Sequence, residues 1–202
     1  EVESFDNDTN PVFEHANARF FIAMKDGKIA GRVAAIINRL EIDVQKVPRM
    51  RFGWIDFIDD LDVSKALIDK ILEIGKNENL EFIEGPLGFS NLDKVGVLTE
   101  GFDSLSTMIT WYNYPYYIEH YKKHGLVESQ KFIETKFFLE DVDINKYRRY
   151  ASVIRERYKL RAINFSSTKE VLPYVEEMFK LFNTAYADLS SFVPVTDKQI
   201  AY

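Results

Sequence analysis

Residues 18–38, ARFFIAMKDGKIAGRVAAIIN, form two apolar runs separated by Lys25-Asp26-Gly27-Lys28. Asp-Gly suits the two left-handed positions of a tight hairpin turn, so the segment predicts two antiparallel strands. The stretch FGWIDFIDD follows, rich in aromatic and β-branched residues. Period-2 placement of Phe52, Trp54, Asp56 and Ile58 predicts a third strand over Arg51 to Ile58. From Asp62 the period lengthens. Val63, Ala66, Leu67, Ile71 and Ile74 recur at helical spacing, predicting a helix from Val63 to Gly75 with Asp62 as its N-cap. Leu80 to Glu84 is a short apolar run closed by Gly85-Pro86, predicting a strand parallel to the third. A β-α-β crossover thereby joins an antiparallel hairpin.

Beyond this point the pattern loosens. Gly88 to Ser104 is punctuated by Gly and Asp with little periodicity, and long loops in compact domains are usually functional or mobile. Pro115 to Lys123 predicts a helix with Pro in its first turn and Gly125 as its stop. Phe132, Ile133, Phe137 and Phe138 predict a strand within residues 126–140. Residues 143–157 predict a charged connecting helix, 158–165 a strand, and 169–187 an amphipathic helix through Leu172, Val175, Phe179 and Phe182. Thr196 and Asp197 read as a helix start. With no initial Met and that helix barely begun, the sequence reads as a piece of a longer chain. The expected organisation is an α/β domain over 1–141 with a mixed sheet and flanking helices, a connecting helix over 142–157, and over 158–202 the start of a second, similar unit.

Composition narrows the function. A length of 202 residues with 46% hydrophobic content suffices for one sizeable core. The net charge of −6 disfavours nucleic acid and anionic membrane as partners, and favours a cationic or neutral small molecule. The absence of cysteine removes disulfides and thiolate chemistry and fits a reducing compartment. No apolar run is long enough to span a bilayer and no secretory signal is visible, so a cytoplasmic location is expected.

The hairpin Lys25-Asp26-Gly27-Lys28-Ile29-Ala30-Gly31-Arg32 resembles the "dG.ivGr" hairpin of the GNAT superfamily of acyl-CoA-dependent N-acyltransferases. Tyr117-Ile118-Glu119-His120-Tyr121, continued by His124-Gly125-Leu126, resembles that family's "rfYeklGF" helix end. The likeness covers Ala18 to Leu139. The runs NPVFEH, GPLGFSN, GVLTEGFD and YNYPYY, at Asn10, Gly85, Gly96 and Tyr112, are similar to those of a narrower bacterial GNAT-like group. Residues 158–202 resemble the opening of a second unit, as in tandem proteins such as the peptidoglycan-bridge aminoacyl transferases. The resemblance implies acetyl-CoA or another acyl-CoA as donor, a small-molecule amine as acceptor, Phe57 and Ile58 as backbone contacts to the donor, and Tyr117 as the acid that protonates the leaving thiolate. One departure is chemical. Where the family carries Q/R-x-x-G-x-G/A for the coenzyme diphosphate, this chain has Asp59-Asp60-Leu61-Asp62-Val63-Ser64. Both glycines are gone and three carboxylates face the place of the anion, which implies weak coenzyme binding there.

Other readings of the same residues stand beside these. Asp59, Asp60 and Asp62 suit either a hard cation or a helix dipole. Tyr116, Tyr117 and Tyr121 suit either proton transfer or an aromatic stack over the sheet. His120 and His124 are four residues apart on one helix face, but Tyr121 stands where a zincin carries its glutamate, so no metal is expected and the histidines read as solvated or capping. Ser90, Asn91 and Asp103 either orient a ligand or satisfy loop backbone. A ligand is expected between the carboxyl end of the third strand and the loop 85–103, with Asn91, Asp103, Tyr112 and Asn113 as its polar and aromatic contacts. The alternative to an enzyme is a non-catalytic scaffold that has lost its coenzyme loop.

Overall fold

The computed structural model describes residues 5–202. Strands β1 (Ala16–Lys25), β2 (Lys28–Asn38), β3 (Arg49–Phe57) and β4 (Phe82–Glu84) form a mixed sheet in that spatial order. β1, β2 and β3 are antiparallel neighbours, and β4 runs parallel to β3. The hairpin turns at Asp26 and Gly27, with φ of 50° and 73°, the left-handed pair that a two-residue turn of this hand requires. Helix α1 (Leu61–Asn77) connects β3 to β4 and α2 (Tyr116–Lys123) follows the long loop. The N-cap of α1 is Asp60 rather than Asp62. Its carboxylate accepts the backbone N–H of Asp62 and Val63, while Asp62 lies inside the first turn. α2 ends as its sequence implies, with Gly125 at φ 80° and the Leu126 N–H returning to the Tyr121 carbonyl.

Hydrophobic periodicity explains the two faces of the sheet. α1 buries Val63, Leu67, Ile68, Ile71 and Ile74 against Val33, Ala35 and Ile37 of β2 and Met50, Phe52, Ile55 and Phe57 of β3. Each of these side chains larger than alanine, once buried, contributes about 1.5–3 kcal/mol. Ala34 and Ile36 face the other way, toward Val12, Ala16, Phe89 and Trp54. β3 does not keep one period. Arg32 pairs with Asp56 and Ala34 with Gly53, so two residues, Trp54 and Ile55, oppose Val33 alone. This bulge changes the parity: Phe52 faces α1, Trp54 the opposite cluster, and Ile55 and Phe57 face α1 again. The predicted alternation through Phe52, Trp54, Asp56 and Ile58 is corrected by that one residue.

Beneath the lower part of β3 lies a buried ionic cluster. Arg51, fully buried, donates to both carboxylate oxygens of Glu41 at 2.8 Å. Arg49 bridges Glu41 and Glu84 and donates to the Ser191 hydroxyl. Arg51 also donates to the carbonyls of Gly88 and Ser191, which ties the loop after β4 and the segment around Phe192 to β3.

Two compact units are distinguished. One comprises residues 1–131 and 179–202 and contains the sheet. In its last segment Phe182 and Tyr186 stack with centroids 4.3 Å apart, and α6 (Asp197–Ala201) starts on a reciprocal Thr196–Gln199 capping box. The other, residues 132–178, holds α3 (Ile144–Tyr158), the short helix α4 (Thr168–Val171) and the first residues of α5 (Val175–Ala185). None of its residues is buried. Pro173 interrupts the predicted 169–187 helix with a 3-10 turn over Leu172–Tyr174. Residues 126–140 and 158–165 contain no strand, contrary to their local pattern. Phe132, Ile133, Phe137 and Phe138 are all more than half exposed. A period-2 run becomes a strand only where a neighbour accepts its hydrogen bonds, and among the described residues none does here.

Candidate functional site

β4 pairs with β3 only from Arg49 to Arg51. The chain then crosses β3 closely: a Cβ on Gly53 would lie 2.2 Å from the Leu87 carbonyl oxygen, and one on Gly85 2.2 Å from that of Phe52. After that contact the loop departs, and the carboxyl half of β3 loses its strand neighbour on that side. Tyrosines of α2 replace it at the tip. The Phe57 N–H donates to the Tyr117 hydroxyl at 3.2 Å, and the Tyr116 hydroxyl donates to the Phe57 carbonyl at 2.6 Å.

Between these points a crevice opens in two adjoining hollows that share Trp54, Pro86 and Trp111. Its polar end is lined by Arg32, Asp56, Tyr112, Asn113 and Tyr117. Arg32 and Asp56 are cross-strand partners, with the Arg32 Nε donating to Asp56 Oδ2 at 2.8 Å, and the Tyr117 hydroxyl donates to Asp56 Oδ1 at 3.3 Å. Burial pushes the Tyr117 phenol up to about 12; the Asp56 charge adds to this, and the Phe57 N–H opposes it. The hydroxyl therefore keeps its proton at neutral pH. The other end exposes Leu92, Met108 and Ile109 and also carries Asp93 and Lys94. Asp93 lies at that end with its carboxyl raised, chiefly by burial, although backbone N–H groups of Ser90 and Phe89 and the Arg51 charge pull it down. Lys94 sits 4.2 Å above the Trp111 ring.

Trp54 shapes this crevice from the bulge. Its φ of 44° is a left-handed conformation that a bulky residue adopts only at a cost of about 1–3 kcal/mol. Its ring rests 5.6 Å from that of Phe89 and walls both hollows.

Tyr112, Asn113 and Tyr117 line the polar end together. The Asn113 amide, however, is spent on the loop, accepting from the Leu98 N–H and donating to the Leu98 and Tyr114 carbonyls. Phe57 stacks on Tyr117 at 4.1 Å, its N–H taken by that tyrosine, and the Ile58 N–H is bonded to the Ala30 carbonyl. Asp103 is exposed beside Ser104, and Asn91 is half-buried with its side-chain oxygen lacking a partner among the described residues; neither lines the crevice. Arg32, Asp56, Trp54 and Trp111 were not picked out as site residues. The signal for the first two is a strand register, which a sequence does not display.

Of the two histidines, His124 is the half-buried C-cap of α2, whereas His120, inside the helix, is not solvated. His120 is buried; its Nδ1 lies 2.8 Å from Ser64 Oγ and its Nε2 3.0 Å from Asp59 Oδ1, while His124 Nε2 is 2.7 Å from the same serine. The order Asp-His-Ser resembles a nucleophilic triad in connectivity only. Ser64 is fully buried, so no acyl carbon reaches its oxygen, and the cluster is a clasp between α1 and α2. His124 is lowered by burial, with the charges of His120 and Lys65 adding to it and Asp69 opposing.

At the start of α1 the donors that would meet an anion are engaged by Asp60, which also pairs with Lys25. Among the described residues no helix is long and apolar enough to cross a membrane.

No protein-family model matches the chain, and no solved structure does. It is similar to Protein YghO of Escherichia coli (strain K12), 26% identical over 195 residues, covering 95% of this chain and 49% of that protein. It is also similar to the Bacterial ceramide synthase of Caulobacter vibrioides (strain NA1000 / CB15N), 25% identical over 194 residues, covering 95% of this chain and 50% of that protein. The chain is a distant homologue of both and spans about half their length.

Proposed function

We propose that this chain forms the acceptor side of a GNAT-like N-acyltransferase that joins an acyl group, carried as an acyl-CoA, to the amine of a long-chain amino alcohol. A ceramide is such an amide, so the similarity to a bacterial ceramide synthase supports the reaction class. The observation that carries the reading is the polarity of the crevice. Asp56, paired with Arg32 on one oxygen and with Tyr117 on the other, stands at one end, and Leu92, Met108 and Ile109 at the other, so a polar amino-alcohol head that shares the Asp56 carboxylate with Arg32 and a hydrocarbon tail fit the two ends.

In this reading the ammonium is drawn toward Asp56, and the nitrogen attacks the thioester carbon once it has lost a proton. A C–N bond forms, the C–S bond breaks, and the electron pair leaves on sulfur. Of the two protons the ammonium loses, the first goes to solvent before attack and the second passes from the adduct nitrogen to Asp56; the Tyr117 hydroxyl hands its proton to the departing sulfur as Asp56 returns one to it, leaving amide and thiol. Tyr117, raised to about 12, is a poorer acid than a thiol of ordinary pKa near 8.5, so its part is to stabilise charge and relay a proton rather than to surrender one outright. The first turn of α1 does not suit a diphosphate, because the Asp60 carboxylate already holds its N–H groups. The donor's diphosphate is accordingly assigned to another part of the protein. That same turn favours the second reading, a non-catalytic ligand-binding scaffold. It prevails if the acceptor binds but the full-length protein forms no amide from acyl thioester.

Both tryptophans of the chain wall the crevice, so intrinsic fluorescence reports its occupancy. Titration with a long-chain amino alcohol is expected to change the emission, with a short-chain analogue binding at least ~10-fold more weakly. Asp56→Asn is expected to weaken binding by about 10-fold. Equal affinity for both chain lengths, or an unchanged Asp56→Asn titration, refutes the proposal.

A further inference from the structure

The unit formed by residues 132–178 has no buried residue, and its longest element presents a strongly segregated surface. On α3, at 3.6 residues per turn, Ile144, Tyr147, Tyr150, Ala151, Ile154 and Tyr158 fall within about a third of the circumference. All are exposed; Tyr147 and Tyr158 exceed 60%. Basic residues border this face on both sides, Lys146 and Arg157 along one edge and Arg148 and Arg155 along the other. Lys146 and Arg157 also lie over the Tyr150 and Tyr158 rings, at 6.0 and 5.5 Å from the centroids. The helix carries five basic residues and a single acid, Glu156, in a chain whose net charge is −6. Among the described residues no ion pair neutralises any of the five.

We infer that α3 docks the protein on the surface of an anionic lipid bilayer, lying in the plane of the interface. The strip of Ile144, Ala151 and Ile154, with Tyr147 and Tyr158 between them, enters the headgroup boundary, Tyr150 sits at its edge, and the flanking cations reach lipid phosphates. The net charge of the whole chain concealed this, because attraction to a membrane acts over a Debye length and is set by the local patch. Nucleic acid would satisfy the cations but not the aliphatic strip. The inference rests on α3 alone and holds whether or not the crevice transfers acyl groups.

The test is flotation of the full chain with vesicles of phosphatidylcholine, with and without a substantial fraction of phosphatidylglycerol. Binding is expected to be at least ~10-fold stronger to the anionic vesicles and to fall steeply as salt is raised. Arg148→Glu with Arg155→Glu is expected to reduce it by ~10-fold or more, and Ile154→Asp to a similar degree, with the far-UV circular dichroism unchanged. Phe102→Asp, in the loop before α2 and in the other compact unit, is expected to leave it intact. Equal binding to both vesicle types, no binding, or indifference to the α3 substitutions overturns the inference. So does self-association that Ile154→Asp abolishes in a chain that ignores vesicles, which would make the face a contact between copies.

Discussion

Trp54 holds a left-handed backbone at the bulge of β3 while its ring walls the crevice, so its strain and its function are coupled. In an ordinary strand Ala is more stable than Gly by about 0.5–1 kcal/mol. Here the order is expected to reverse: Trp54→Gly should unfold at higher denaturant than Trp54→Ala, by about 1 kcal/mol, since glycine relieves the positive φ while both lose the ring. Chemical denaturation of the two variants decides it, and Ala more stable than Gly shows that the backbone is not strained there. Tyr117 offers a second check. Phe at this position leaves the Phe57 N–H without its acceptor, an expected loss of about 1–3 kcal/mol measured by urea unfolding, even though ring packing on Phe57 is kept. Tyr117 is singled out by the resemblance of its helix to the GNAT helix end, and the fold places it on the crevice wall. Asp56 is not legible as a site residue, because its partners Arg32 and Tyr117 are brought to it by strand register and by a helix about 60 residues on.

At the level of elements, the hairpin, α1, the parallel β4 and α2 could be read from turn residues and periodicity, since each is specified by its own sequence. The bulge could not, because one extra residue leaves an apolar strand still apolar and merely reassigns its faces. The strand expected within 126–140 fails for the opposite reason: the local pattern is present and its pairing partner is not. The buried charges were equally hidden, Glu41, Arg49 and Arg51 being types normally read as surface. They give the fold an acid limit. Burial alone would raise Glu41, but hydrogen bonds and charge from Arg51 and Arg49 outweigh it and hold the carboxyl below its ordinary 4.5. A depressed carboxylate contributes stability that is present above the unfolded value and lost as pH falls through the folded one. Denaturation midpoints should therefore be level from pH 7 to about 5 and fall below about 4.5. Glu41→Gln should flatten that acid limb while costing about 3–5 kcal/mol at neutral pH, because Arg51 is left buried and uncompensated. A wild-type acid limb identical to that of the variant contradicts this role.

For the molecule as a whole, one chain combines a crevice along β3 with a basic helix in a separate compact unit, under a net negative charge. Composition points to a cationic or neutral small molecule and away from anionic membranes; the proposed acceptor crevice agrees with the first expectation, and the docking role proposed for α3 departs from the second. A photoreactive long-chain amino alcohol, cross-linked to the chain and located by peptide mass spectrometry, tests the acceptor crevice most directly. Labels are expected within residues 53–56, 86–97 and 108–121, and are expected to disappear on competition with unlabelled amine. Saturable labelling confined to other segments, such as β1 or α5, contradicts the assignment of the crevice as the acceptor site.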